Sequence, residues 1–158
     1  MTDGKRRTLA EWMAEKKLRP NRLMRAGAGV SLDGIRHWVR TGKMPLEVEA
    51  NHRSLSIADA LGVPPELFDA GPTYRGFTEA GLRFFIKTQG RDDRGWEASI
   101  DAWGPPRGVA EGSFPAVSHR VISDERVKGP TAEASLDALE QELRDLIRAN
   151  PRAENDAG

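Results

Sequence analysis

The 158-residue sequence contains no cysteine and only three histidines. Without cysteine the chain has no disulfide, no cysteine-ligated zinc, no iron–sulfur cluster and no thiol nucleophile. His37, His52 and His119 form neither an H-x3-H nor an H-E-x-x-H pair, so we expect no metal site and no cofactor. No nucleophile, base and orienting group occur as a recognisable set, so we also expect no catalytic residue and no enzyme activity.

Long apolar runs are also missing. The segment Phe84–Ile86 is an example of the longest runs present, far below the roughly 18 apolar residues that a membrane span needs. The basic amino terminus, MTDGKRRT, does not lead into the apolar segment of a signal peptide. We therefore expect a cytoplasmic protein that has no membrane partner.

The formal net charge of zero is unevenly distributed. Residues 1–43 contain 11 Lys and Arg against 4 Asp and Glu, a net charge of +7, and residues 44–158 contain 13 against 20, a net charge of −7. Basic charge concentrated at one end favours a polyanionic partner such as nucleic acid. The alternative is a set of lysines and arginines that are only solvated.

Apolar residues in the first part recur at helical spacing. The first predicted helix begins near Thr8. The next three run from about Pro20 to Ala26, from about Leu32 to Arg40 after a Ser31 cap, and from about Leu46 to Leu61. A last turn is predicted at Pro64–Phe68. Gly42 and Gly62 are expected to end the third and fourth helices. The basic leader Lys5–Arg7 is either an arm that reaches phosphates or a disordered tail.

The third predicted helix is the most informative one. Ile35, Trp38 and Val39 have the spacing of a buried face, which favours a core position for Trp38 over base stacking. Arginine on the opposite face can donate two hydrogen bonds to a guanine edge. Leu32 can contact a thymine methyl group or pack on helix two. Asp33 can accept from cytosine or simply lie favourably in the first turn.

Several features of residues 8–69 occur in the order typical of one DNA-binding family. The segment LAEWMAEKKLRPNRLMRAGAGVSLDGIRHWVRTGKMP, followed by IADALGVPPELF, resembles the Cro/cI-type helix-turn-helix family, also called XRE-like or lambda-repressor-like. The matching positions are Leu18, Leu23, Gly29-Val30-Ser31, Ile35, Gly42-Lys43, Ala60-Leu61-Gly62-Val63 and Leu67-Phe68. The resemblance implies an all-α lambda-repressor-like domain that reads the major groove with its third helix.

The resemblance and the outer face of helix three together imply the DNA-contacting residues. These are Asn21, Ser31, Leu32, Asp33, Arg36, His37, Arg40 and Lys43. The chain departs from the family pattern at three places. The turn at 26–30 is one residue longer, Pro20 replaces a polar residue that contacts DNA, and the segment before Ala60 is about four residues longer, roughly one helical turn.

The second part alternates in the manner of strands and then becomes one amphipathic helix. LRFFIK (82–87), GWEASIDAWG (95–104) and residues 118–127 are predicted strands, and in the second of these Trp103 falls on the polar face. Leucines from Leu136 to Leu146, with Ile147, mark the apolar face of the helix. One helix covers one sheet face, which leaves the other face to water or a partner. The arrangement resembles small antitoxin-type modules.

We therefore predict an α+β protein with a helix-turn-helix domain at 1–70, a β-β-β-α domain for dimerisation or partner binding at 71–150, and a disordered tail at 151–158. The predicted function is that of a sequence-specific, double-stranded DNA-binding transcriptional repressor that acts as a homodimer. The alternative is an antitoxin-like or adaptor protein whose carboxy-terminal domain binds a protein partner, with DNA binding for autoregulation. A third interpretation makes the second part a small-ligand sensor.

Overall fold

The computed structural model describes residues 5–26, 29–90, 95–106 and 125–149. The helices are α1 (Leu9–Glu15), α2 (Pro20–Arg25), α3 (Leu32–Thr41), α4 (Leu46–Ala50), α5 (Ser54–Leu61) and α6 (Ala132–Ala149), with a 3-10 helix at Pro65–Leu67. The strands are β1 (Arg7–Thr8), β2 (Phe68–Asp69), β3 (Tyr74–Glu79), β4 (Leu82–Gly90), β5 (Trp96–Gly104) and β6 (Arg126–Gly129).

Several helix ends follow local sequence signals. Thr8 caps α1 in a reciprocal capping box with Glu11, through hydrogen bonds of 3.0 and 3.3 Å. The backbone hydrogen bond from Thr8, followed by that of its side chain, lowers the pKa of Glu11. Gly42 and Gly62 end α3 and α5 in the left-handed conformation that glycine adopts without strain. These predicted ends are confirmed.

The prediction of one helix over residues 46–61 is wrong, because the chain breaks between α4 and α5. His52 has a φ of 54°, in the left-handed region. The side chain of Asn51 donates to the carbonyl four residues earlier at 2.8 Å, which closes α4. Ser54 begins α5 and donates its hydroxyl to Asp101 at 2.5 Å in a fully buried position. This bond to β5 requires the chain to turn before Ser54.

The all-α prediction for the first part is also wrong. β1 and β2 pair in parallel, with Arg7 opposite Phe68 and Thr8 opposite Asp69. The chain before α1 is thus joined to the chain after the 3-10 helix. Strands of two residues are too short to show an alternating pattern, which explains why the sequence did not predict them.

The prediction of a β-β-β-α unit is wrong, because it contains one strand too few. Within the described ranges, the sheet before α6 has four antiparallel strands in the order β3-β4-β5-β6. β3 buries Tyr74 and Phe77, whose spacing of three residues hides the alternation of a strand. Ala80 and Gly81 have φ values of 52° and 86° and connect β3 to β4 in a tight turn. Residues 118–124 of the predicted third strand lie outside the described residues.

A β-bulge changes the faces of β5. The register shifts between Phe85 and Ile86, which pair with Ala102 and Ile100, so Asp101 is the extra residue. The predicted placement of Trp103 on the polar face is therefore wrong. Trp103 stacks on Phe84 at a ring distance of 6.0 Å and packs on the core beneath α6.

Both faces of the sheet are covered. Leu139 and Leu143 of α6 pack with Phe84 and Ile86 on one face. On the other face, Phe85 joins the core of the amino-terminal helices. The prediction of a sheet face left to water or a partner is wrong, because the helical part occupies that face.

Candidate nucleic-acid interface

α3 has one side in the core and the other in solvent. Gly34, Ile35 and Trp38 are buried, and Trp38 contacts Phe68 at a ring distance of 6.0 Å. The core position predicted for Trp38 is confirmed. Val39 was predicted to be buried but is 37% exposed. The buried side of α3 is formed by Gly34, Ile35 and Trp38, and Val39 lies at its edge.

The structure places most of the predicted DNA-contacting residues on the exposed side of α3. Asp33, Arg36, His37 and Arg40 are exposed on this helix, and Leu32 is half-buried. The ring Nδ1 of His37 lies 3.5 Å from the Arg40 guanidinium. The remaining predicted residues are also exposed and lie outside the helix: Asn21 on α2, Ser31 at the cap and Lys43 after the end.

Ser31 is the N-cap of α3. Its hydroxyl oxygen accepts from the backbone N–H of Gly34 at 3.0 Å, and its proton is donated to the Glu47 carboxylate at 2.8 Å. A Cβ atom at position 34 would collide with this carboxylate, so Gly34 makes room for Glu47. The carboxylate stands at the positive end of the helix dipole, where it is stabilised.

The charged residues differ between the two halves of the molecule. In the described part of the chain, no carboxylate pairs with the basic residues exposed on α2 and α3 or just after α3, namely Arg22, Arg25, Arg36, Arg40 and Lys43. Five cations of the sheet and α6 instead contact an acidic side chain: Arg75, Arg83, Lys87, Arg144 and Arg148. On β6, the exposed Arg126 and Lys128 have no acidic partner among the described residues. Most of the unpaired positive charge in the described part of the chain therefore lies on and around α2 and α3.

The basic leader is part of the folded structure. Arg6 lies 3.4 Å from the Asp69 carboxylate, and the Arg7 guanidinium lies 5.1 Å from the centre of the Trp12 ring. Arg6 and Arg7 therefore form neither a free arm nor a disordered tail, because Arg6 is paired with Asp69 and Arg7 lies in β1. Residues 1–4 lie outside the described residues.

One basic residue beside α3 was absent from the sequence prediction. Arg53 is exposed, and the end of its side chain lies against Gly29 in the turn before α3. The left-handed His52 brings it there, and the sequence pattern of one continuous helix concealed that turn. Asn51 before His52 is the only local signal that we find for this break.

A cleft of about 530 Å³ lies between the helical part and the start of α6. Both of its arginines already have acidic partners: Arg6 pairs with Asp69, and Arg75 pairs with Asp137 and Glu140. The cleft thus offers no unpaired arginine to an anionic ligand. A small ligand could bind in this cleft, but the lining residues do not indicate which class of ligand it would be.

Comparisons of the chain with protein-family models, with curated proteins and with solved structures gave no match. The helix-turn-helix resemblance therefore stays a prediction. No helix in the described ranges is both long and apolar enough to cross a membrane.

Proposed function

We propose that this chain is a sequence-specific, double-stranded DNA-binding regulator of transcription that acts in the cytoplasm as a homodimeric repressor. The observation that supports the proposal is the unpaired positive charge on α2 and α3. Lysines and arginines that neutralise phosphates release counterions from DNA, and this release supplies most of the non-specific affinity. Arginines that already pair with carboxylates cannot do so without losing their partners.

In the proposed complex, α3 enters the major groove with its exposed side toward the bases. A major groove about 12 Å wide accepts an α-helix. Arg36 is the residue that we expect to donate to a guanine, because it is exposed and has no acidic partner among the described residues. Lys43 follows the helix and is expected to contact a phosphate, which positions the protein without reading sequence.

The adaptor alternative, in which the carboxy-terminal domain binds a protein partner, has less support. The sheet face that it assigned to a partner is covered by the amino-terminal helices, with Phe85 in their core. A protein partner would therefore have to bind a different surface, and DNA binding remains the function that the charge distribution favours.

The first experiment is a selection of binding sites from random duplexes, followed by fluorescence anisotropy on the selected site across a salt series. We expect affinity to fall steeply with salt and a preference for the selected site over unrelated DNA. Absence of DNA binding at low salt would refute the proposal.

The first variant to test is Arg36→Ala. We expect binding of the selected site to weaken by about 1 to 3 kcal/mol and preference at one base pair to relax. Lys128→Ala on β6 is the matched control, because it removes the same charge from an exposed strand outside the proposed interface. If Arg36→Ala keeps the base preference of the parent at every position of the site, our docking of α3 is wrong.

A further inference from the structure

The Arg53 side chain lies against Gly29, shortly before α3. A Cβ atom built on Gly29 would be 2.9 Å from Cδ, 3.1 Å from Nε and 3.4 Å from Cζ of Arg53. The side chain therefore runs over the one face of Gly29 that a larger residue would fill. Gly29 itself has a φ of 75°, which favours glycine at this position.

The backbone holds Arg53 in this place from both sides. Its N–H donates to the Val48 carbonyl at 3.0 Å, which ties it to α4. The next residue, Ser54, is fully buried and bonded to Asp101 of β5. The left-handed His52 makes the turn between these anchors. The position of Arg53 thus depends on the break between α4 and α5.

The charge of Arg53 is not used within the described part of the structure. Its side chain is exposed, and no described carboxylate or other acceptor bonds to the guanidinium. The nearby Glu47 carboxylate is bonded to Ser31 at the start of α3 instead. Arg83, by contrast, is paired with Asp59. The Arg53 side chain is therefore held in one place, while its guanidinium has no acidic partner among the described residues.

We infer that Arg53 binds a backbone phosphate of the DNA at the edge of the groove that α3 enters. The inference rests on the proposed function and adds a contact that the helix-turn-helix segment does not contain. A guanidinium can donate two parallel hydrogen bonds to phosphate oxygens. Because a phosphate is the same at every base pair, this contact fixes the position of α3 but does not select sequence. Because Gly29 has no side chain, the arginine can lie against the backbone there.

Arg53→Gln tests the inference in the full chain. We measure Kd by anisotropy for the selected site and for an unrelated duplex, each across a salt series. Loss of one phosphate contact lowers the slope of log K against log salt by about 0.9, which corresponds to roughly eight-fold weaker binding at about 0.1 M salt. Both duplexes should lose the same factor, so the preference for the selected site stays unchanged.

Three controls make the result specific. Lys128→Gln removes one positive charge from the exposed surface of β6 and should leave the slope nearly unchanged. Arg53→Lys keeps the charge and should restore most of the slope. Circular dichroism should give equal melting temperatures for the parent and Arg53→Gln, which shows that the variant is folded.

Each alternative outcome has a definite meaning. If the parent binds DNA and Arg53→Gln behaves like Lys128→Gln, the phosphate contact is wrong and the proposed function stands. If Arg53→Gln changes the preference between duplexes, the residue reads a base and the phosphate assignment is wrong. If the parent binds no DNA at low salt, the proposed function and the inference fail together.

Discussion

Asp101 joins the helical part to the sheet through a single carboxylate. Its side chain is only 1% exposed and lies 3.4 Å from the Lys87 ammonium. Ser54 and His52 approach the same carboxylate at 2.5 and 3.0 Å. Burial first, and then the charges of Asp101 and Glu49, raise the pKa of Tyr74 well above its usual range, so its hydroxyl stays neutral beside this cluster.

Asp101→Ala should therefore destabilise the whole fold. It leaves the Lys87 ammonium, 15% exposed, and the Ser54 hydroxyl without their shared partner. Breaking such a buried pair costs about 3 to 5 kcal/mol. Urea unfolding at pH 7 measures the loss. Glu142→Ala on the exposed face of α6 should change the free energy of unfolding by less than about 0.5 kcal/mol. A similar small change for Asp101→Ala would contradict the coupling.

Single residues were predictable where a local rule decides them. The capping box at Thr8 and the left-handed glycines need only neighbouring residues, and Trp38 needed only the helical period. Asp101 could not be assigned in this way, because its alternation with Ile100 placed it on a solvated face. Its partners are 14 to 49 positions away in the chain, a distance that no local pattern covers.

At the scale of elements, the misassigned features arise from tertiary contacts. The bulge at Asp101 returns Trp103 to the core, and the break at His52 lets Ser54 reach β5. β3 was missed because only two of its six residues are buried. Helix α6 was predicted correctly because four of its apolar residues are buried at helical spacing, a signal contained within one element.

The contact of α6 with β3 predicts a pH-dependent stability. Arg144 and Arg148 donate to the Glu79 carboxylate at 2.8 and 3.1 Å. Burial raises the pKa of Glu79, but the hydrogen bonds and charges of the two arginines outweigh it, and the pKa lies below its usual value of 4.5. A depressed pKa stabilises the fold fully above about pH 4.5, and this contribution is lost as the pH falls through the folded-state value.

Glu79→Gln should thus lower the free energy of unfolding at pH 7 by about 1.5 to 3 kcal/mol, the size of a charge-assisted hydrogen bond. The difference from the parent should shrink as the pH falls toward about 3. Urea unfolding at both pH values checks this, with Glu142→Gln as the control for an exposed glutamate. A difference that stays constant over this range would show that the Glu79 charge does not stabilise α6.

The described part of the molecule has two cores that meet at the sheet. Phe85 belongs to the core of the amino-terminal helices, while Phe84 and Ile86 beside it belong to the core under α6. Three consecutive residues of β4 thus contribute side chains to both cores. The sequence predicted an apolar strand here but could not show which layer lies on each side, because the helices that cover one face precede it by more than 20 residues.

Phe85→Ala tests whether these cores unfold together. Phe85 is fully buried and contacts Phe68 at a ring distance of 5.9 Å. Removing its ring should cost about 3 to 5 kcal/mol. Because β4 joins both cores, we expect the same shift in the urea midpoint by far-ultraviolet circular dichroism, dominated by the helices, and by tryptophan fluorescence, which reports Trp12 and Trp38 as well as Trp96 and Trp103.

Leu46→Ala is the matched control, since Leu46 is 75% exposed at the start of α4 and should unfold like the parent. Two separate transitions in Phe85→Ala, with the second at the parent's midpoint, would mean that one core persists without the other. A single shifted transition would mean that the two cores unfold as one unit. In that case a destabilising substitution in β4 should lower the urea concentration at which DNA binding is lost, without touching the interface.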